Sequence, residues 1–132
     1  MFELDAKLVA DTFFVCDLKI SRLLLMNDAN YTWLILVPQK AGLSELTDLT
    51  FDEQVEVLGE INLIARILKN DFACDKLNIA ALGNVVRQLH IHVIARREND
   101  ATFPKPVWGN APAKSYSDKE AQSVIAKIKS LL

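Results

Sequence analysis

From Gln88 to Val93 the chain alternates polar and apolar side chains, Gln-Leu-His-Ile-His-Val. This is the period of a strand with one face buried. Leu89, Ile91 and Val93 point one way, and Gln88, His90 and His92 the other. Such a ribbon cannot stand alone, so the chain around it must supply further strands and something to cover the apolar face. The two histidines are the only ones in 132 residues, and two strand rises set them about 6.5–7 Å apart on one face. Arg96 and Arg97, at the end of the stretch, read as solvated strand-end charges.

Four more strands are expected upstream. Thr12–Leu18 is β-branched and aromatic, Ser21–Met26 follows a brief connection, and Asn27-Asp28-Ala29-Asn30 reads as a turn. Thr32–Val37 is an almost continuous apolar run stopped by Pro38, which suits a central strand covered on at least one side. Leu77–Leu82 is the fourth strand and Gln88–Arg97 the fifth, with Gly83-Asn84 turning between them. Short connections favour antiparallel pairing.

The helices announce themselves by their caps. Asp5 can cap a short helix over residues 5–11. Thr50-Phe51-Asp52-Glu53 fits a capping box, and Phe51, Val55, Leu58, Ile61, Ala65, Leu68 and Phe72 recur at steps of three and four. That stripe predicts a long helix lying across the sheet. Ser117-Asp118-Lys119-Glu120 opens a terminal helix in the same way, with Val124, Ile125 and Ile128 on one side. Between them, residues 98–116 hold three prolines (Pro104, Pro106, Pro112) and Trp108 without periodicity, and read as an arm ordered by contact. The fold class is α+β: a five-stranded, mainly antiparallel sheet with one long helix across it and a C-terminal helix.

At this length the chain forms one domain with a real core. Net charge is −2 and the pI about 5.6, so no basic field exists to draw nucleic acid or a membrane surface. Cys16 and Cys74 match no metal or redox spacing and read as reduced, partly buried thiols. The first residues, Met1–Asp5, lack a basic and then apolar leader, and no run reaches the ~20 apolar residues of a membrane span. The expected setting is cytoplasmic.

Three chemistries compete for a paired-histidine face. A metal could bridge two imidazoles, but the third ligand is missing and Gln88 is a poor substitute. The pair could do acid–base work on a ligand. Or one imidazole could attack phosphorus, which requires a neutral ring whose Nδ1–H is held so that Nε2 is free. That route also requires donors for the phosphate oxygens.

Gln88-x-His90-x-His92 followed by Val93-Ile94-Ala95-Arg96 resembles the signature of the histidine triad (HIT) family of nucleotide hydrolases and transferases, whose three histidines alternate with apolar residues on the last core strand. The strand ending Leu34-Ile35-Leu36-Val37-Pro38, the helix from Thr50 and the Asn78…Gly83-Asn84 segment are similar in placement. The resemblance spans residues 2–106, a HIT-like domain, and leaves 107–132 as a C-terminal arm and helix. Two departures stand out: Gln88 replaces the first histidine, and Trp33 stands where members commonly carry a histidine before the proline-ended run.

What the resemblance implies is cleavage at the α-phosphate of a purine nucleotide conjugate or dinucleoside polyphosphate. His90 would be the nucleophile, oriented by the Gln88 carbonyl, and His92 a donor to phosphate or leaving group. The Gln88 amide could donate to a phosphate oxygen but cannot deliver a proton. The alternative is a nucleotide-binding regulatory module with weak or no turnover. Asn78 and Asn84 could bind phosphate or ribose, and Asn27 and Asp28 fall where members hold the ribose hydroxyls; turn chemistry explains the last three equally well. Trp33 and Phe13 could line a base pocket or simply be core. Members are dimers whose C-terminal segments reach toward the partner's site, a role Trp108 could fill as readily as clamping its own arm. The implied partners are a small-molecule nucleotide and a second copy of the chain, with no cofactor and no resident metal.

Overall fold

The computed structural model describes residues 1–132. Strands β1 (Thr12–Asp17), β2 (Ser21–Met26), β3 (Thr32–Pro38), β4 (Lys76–Ala80) and β5 (Ile91–Arg96) form one sheet in the order β1-β2-β3-β5-β4. Every pairing is antiparallel. Helices α1 (Ala6–Asp11), α2 (Phe51–Asp71) and α3 (Asp118–Leu131) complete it, with a 3-10 turn at Leu46–Asp48. The fifth strand starts later than its alternation suggests. The Leu89 N–H donates to the Leu43 carbonyl at 3.0 Å, so residues 88–90 are tied to the loop before α2 and not to β3.

All three helix starts are capped by the residues that signal them. Asp5 accepts from the Lys7 N–H. Thr50 and Glu53, and likewise Ser117 and Glu120, exchange side chain-to-backbone bonds in reciprocal capping boxes. Glu53 also meets Lys40 at 3.1 Å.

The sheet is covered on both faces. On one, α2 and α3 lay Ile64, Leu68, Ile125 and Ile128 over Leu23, Leu25, Leu34, Leu36, Leu89, Ile91 and Val93. On the other, Leu24, Trp33, Ile35, Val37 and Ile94 are covered by Leu8 of α1, Val86 of the β4–β5 loop and Val107 of the arm. β3 is therefore apolar on both sides, which explains its unbroken run.

The stripe expected along α2 is only half right. Phe51, Val55 and Leu58 are 78%, 53% and 55% exposed, while Val57, Glu60, Ile64, Ala65, Ile67 and Leu68 turn inward. Glu60 is buried for a reason that periodicity cannot carry: its carboxylate accepts from the backbone N–H groups of Ile20 and Ser21, at 3.0 and 3.5 Å, and so holds the β1–β2 turn.

Arg96 is not solvated. Its side chain is 1% exposed and forks onto Asp100 at 2.9 and 3.1 Å, with further bonds to Asn78 Oδ1, Thr102 Oγ1 and the Lys105 carbonyl. Tyr31 and Phe103 flank the guanidinium at 5.5 Å. Burial alone would raise the Asp100 carboxyl. The Arg96 guanidinium and the N–H groups of Arg97, Thr102 and Phe103 outweigh it and hold the group well below the usual carboxylate range. This network pins the start of the arm that carries Trp108.

Candidate functional site

His90 and His92 lie on the sheet face away from α2 and α3, and are 7% and 4% exposed. Their apolar neighbours Leu89, Ile91 and Val93 turn into the helix-side core, so the alternation read from sequence orients both rings. They meet edge to face with centroids 4.9 Å apart.

The hydrogen bonds of the two rings fix opposite tautomers. His90 Nδ1 lies 2.7 Å from the Gln88 carbonyl oxygen. A carbonyl only accepts, so Nδ1 carries the hydrogen, and in the neutral ring Nε2 keeps a free lone pair. His92 Nδ1 instead accepts from the indole N–H of Trp33 at 3.0 Å. Indole only donates, so the neutral His92 ring must carry its hydrogen on Nε2. Burial, with His90 alongside, pushes the His92 pKa down to about 3, and the ring is neutral at pH 7. Trp33 reaches His92 because it pairs with Ile94 while His92 pairs with Ile35, a diagonal neighbour within aromatic reach.

Both rings face a cavity of about 340 Å³ walled by Lys7, Leu8 and Asp11 of α1, Met26, Trp33, the loop residues 82–86 and Trp108. His90 also borders a smaller one of about 220 Å³ with Ser44, Thr47 and Gly83. Trp108 sits edge-on to His92 and Trp33, with centroids at 5.0 and 5.8 Å. It reaches the site of its own chain, and divides the main cavity from a second of about 410 Å³ lined by Asn27, Asp28 and the arm.

The other residues singled out from sequence are placed as follows. Gln88 borders the 220 Å³ cavity and not the 340 Å³ one, and its carboxamide is engaged: Oε1 accepts from the Asp5 N–H and Nε2 donates to the Glu3 carbonyl, both at 2.8 Å. It is a clasp on the segment leading into α1. Asn84 lies exposed at the cavity mouth, after Gly83, whose φ of +72° makes the turn. Asn78 is engaged by Arg96. Asn27 and Asp28 accept from the backbone N–H groups of Tyr116 and Lys114, at 2.9 and 3.2 Å, and so hold the arm against the β2–β3 turn. Phe13 packs on Tyr116, remote from the histidines.

Two features escape sequence reasoning. That α1 forms a wall of the cavity carries no signal in six short-range residues. Trp33 reads from sequence as base-pocket lining or core, and only the register of β3 on β5 reveals its N–H as the partner of His92. No group of three or more His, Cys, Asp or Glu is placed so that it could hold a metal ion, and no helix is long and apolar enough to cross a membrane.

The comparisons agree with this architecture. The profile of the HIT domain matches residues 7–99. No curated protein matches the chain. Among solved structures, a histidine triad protein from Marinobacter aquaeolei VT8 is similar at TM-score 0.97 and 40% identity, over 100% of this chain and 96% of that one. One from Sinorhizobium meliloti 1021 gives 0.96 and 44%, over 99% and 97%. One from Bradyrhizobium japonicum gives 0.95 and 43%, over 98% and 96%. With the family profile covering most of the chain and these structures superposing on nearly all of it, this protein belongs to the histidine triad family.

Proposed function

We propose that this protein is a nucleotide phosphohydrolase or nucleotidyl transferase that acts at the α-phosphate of a purine nucleotide conjugate or dinucleoside polyphosphate through a nucleotidyl-His90 intermediate. The observation that carries the reading is the 2.7 Å bond from His90 Nδ1 to the Gln88 carbonyl, which in the neutral ring turns Nε2 outward as the nucleophile. When Nε2 attacks phosphorus the ring becomes cationic. The carbonyl that oriented it then stabilises the new charge, an interaction stronger in the transition state than before it. The base would lie among Leu8, Met26, Trp33, Val86 and Trp108 of the 340 Å³ cavity, a size and lining suited to a small aromatic ligand. His92 Nε2–H and Asn84 would donate to phosphate oxygens. Asn27 and Asp28 border the adjoining cavity, where ribose hydroxyls or the second half of a conjugate would meet them. Asn78 acts only through Arg96 and the loop bearing Trp108.

The protein is a homodimer in this reading, in the cytoplasm. Phe51, Val55 and Leu58, exposed at steps of four and three, make an apolar ridge on the flank of α2 turned away from Glu56 and Glu60, and β4 is an open sheet edge. A second copy would cover both.

A second reading, a nucleotide-binding regulatory module with weak turnover, is favoured by the engagement of the Gln88 amide with Glu3 and Asp5, which removes one phosphate donor from the row. Hydrolysis of a diadenosine polyphosphate separates the two. We expect His90→Ala to lower turnover by on the order of a thousandfold or more. A wild-type rate no greater than that of His90→Ala would remove the enzymatic claim and leave the binding module.

A further inference from the structure

We propose that Trp33 is a positioning residue that fixes His92 as a neutral Nε2–H donor, so that the site stabilises a leaving group without protonating it and selects nucleotide conjugates whose leaving group departs as a stable anion. The second half of this inference rests on the function proposed above; the first does not.

Two donors and acceptors of fixed sense carry it. The indole N–H of Trp33 cannot accept, and it lies 3.0 Å from His92 Nδ1. A proton on Nδ1 would set two N–H groups against each other inside a buried cluster, so the imidazolium and the Nδ1–H tautomer are both disfavoured. Trp33 is itself 5% exposed and held edge-on by Tyr31 and Trp108 at 6.2 and 5.8 Å, so its N–H cannot turn elsewhere. A histidine at this place could present either a donor or a lone pair to His92 and would leave its charge free to change. Tryptophan cannot.

Apart from the two histidines, the ionisable side chains at the cavity are Lys7 and Asp11. The Gln88 amide is held by Glu3 and Asp5, and Lys7 is paired with Asp11 at 3.0 Å. The step therefore balances without an acid. His90 Nε2 forms the bond to phosphorus, the bond from phosphorus to the leaving oxygen breaks with its electron pair, and that oxygen departs as an anion hydrogen-bonded by His92 Nε2–H. Water then attacks phosphorus, the P–N pair returns to Nε2, and the water proton passes to solvent. A phosphate or aryl oxide can leave in this way; an alkoxide or a neutral amine cannot.

The test has a spectroscopic arm and a kinetic arm. In protein with ¹⁵N-labelled histidine and tryptophan at pH 7, His92 should show one neutral tautomer with hydrogen on Nε2, and coupling from Trp33 Nε1–H across the hydrogen bond to Nδ1. In Trp33→Phe the ring should populate both neutral tautomers. An imidazolium, an Nδ1–H tautomer, or an unchanged ring in Trp33→Phe overturns the positioning role; if that variant does not fold, the wild-type spectrum decides alone. In the second arm, turnover of adenosine 5′-(4-nitrophenyl phosphate) should exceed that of the phenyl ester by about 100-fold or more, the size of effect a proton donor would otherwise supply. Rates within tenfold overturn leaving-group selection alone. No turnover of either ester overturns the proposed function with it, while the spectrum still decides the role of Trp33.

Discussion

Gln88 and Arg96 show how far one side chain's role depends on what it meets. The Gln88 carboxamide bonds two backbone groups that precede α1, and Lys7, Leu8 and Asp11 of that helix wall the cavity. Gln88→Ala should cost about 1 kcal/mol of stability, as two part-exposed hydrogen bonds are lost. It should raise KM for a nucleotide substrate more than it lowers kcat, since the wall loosens while the His90 carbonyl partner, a main-chain group, remains. Steady-state kinetics with urea unfolding checks both. Arg96 makes the opposite case. Arg96→Met leaves Asp100 charged and buried among donors it no longer balances, and we expect a loss of about 3–5 kcal/mol by urea titration. Because the Asp100 carboxyl is held below its ordinary value in the folded state, its contribution is full above about pH 4 and is lost as pH falls further. Asp100→Asn should therefore flatten the decline in stability below pH 4.

At the scale of elements, the starts of α1, α2 and α3 were legible because a cap is a local bargain between a side chain and the N–H groups two or three residues on. The strands and their mainly antiparallel pairing followed from residue type, apolar patterning and short turns, whereas the order that sets β5 between β3 and β4 was not legible. The facing of α2 was not legible in full. Phe51, Val55 and Leu58 continue an apolar rhythm, yet the helix rolls so that Glu60 reaches the β1–β2 turn, a contact 39 and 40 residues away in sequence. The candidate site divides along the same line. His90 and His92 sharing a face is a short-range consequence of the alternation from Gln88 to Val93, and the family resemblance pointed to the Gln88 carbonyl as the partner of His90. The bond from Trp33 spans 59 residues, and the bonds from Gln88 to the amino-terminal segment span 83 and 85. No pattern within a window of the sequence contains them.

For the whole molecule, the two sheet faces divide the work: helices on one build most of the core, and α1, the β4–β5 loop and the arm enclose the histidines on the other. The exposed ridge on α2 predicts self-association, so light scattering at micromolar concentration should give twice 14.8 kDa. Val55→Glu, placing a charge on that ridge, should yield the single-chain mass with an unchanged circular dichroism spectrum; a wild-type monomer would contradict the homodimer. The proposed chemistry depends on the free Nε2 of His90, and mass spectrometry after rapid quench reads it most directly. Protein mixed with a diadenosine polyphosphate, stopped within one turnover and digested, should show a nucleotidyl mass on the peptide containing His90, absent in His90→Ala. Turnover with no adduct on that peptide, or an adduct on any other residue, would contradict it.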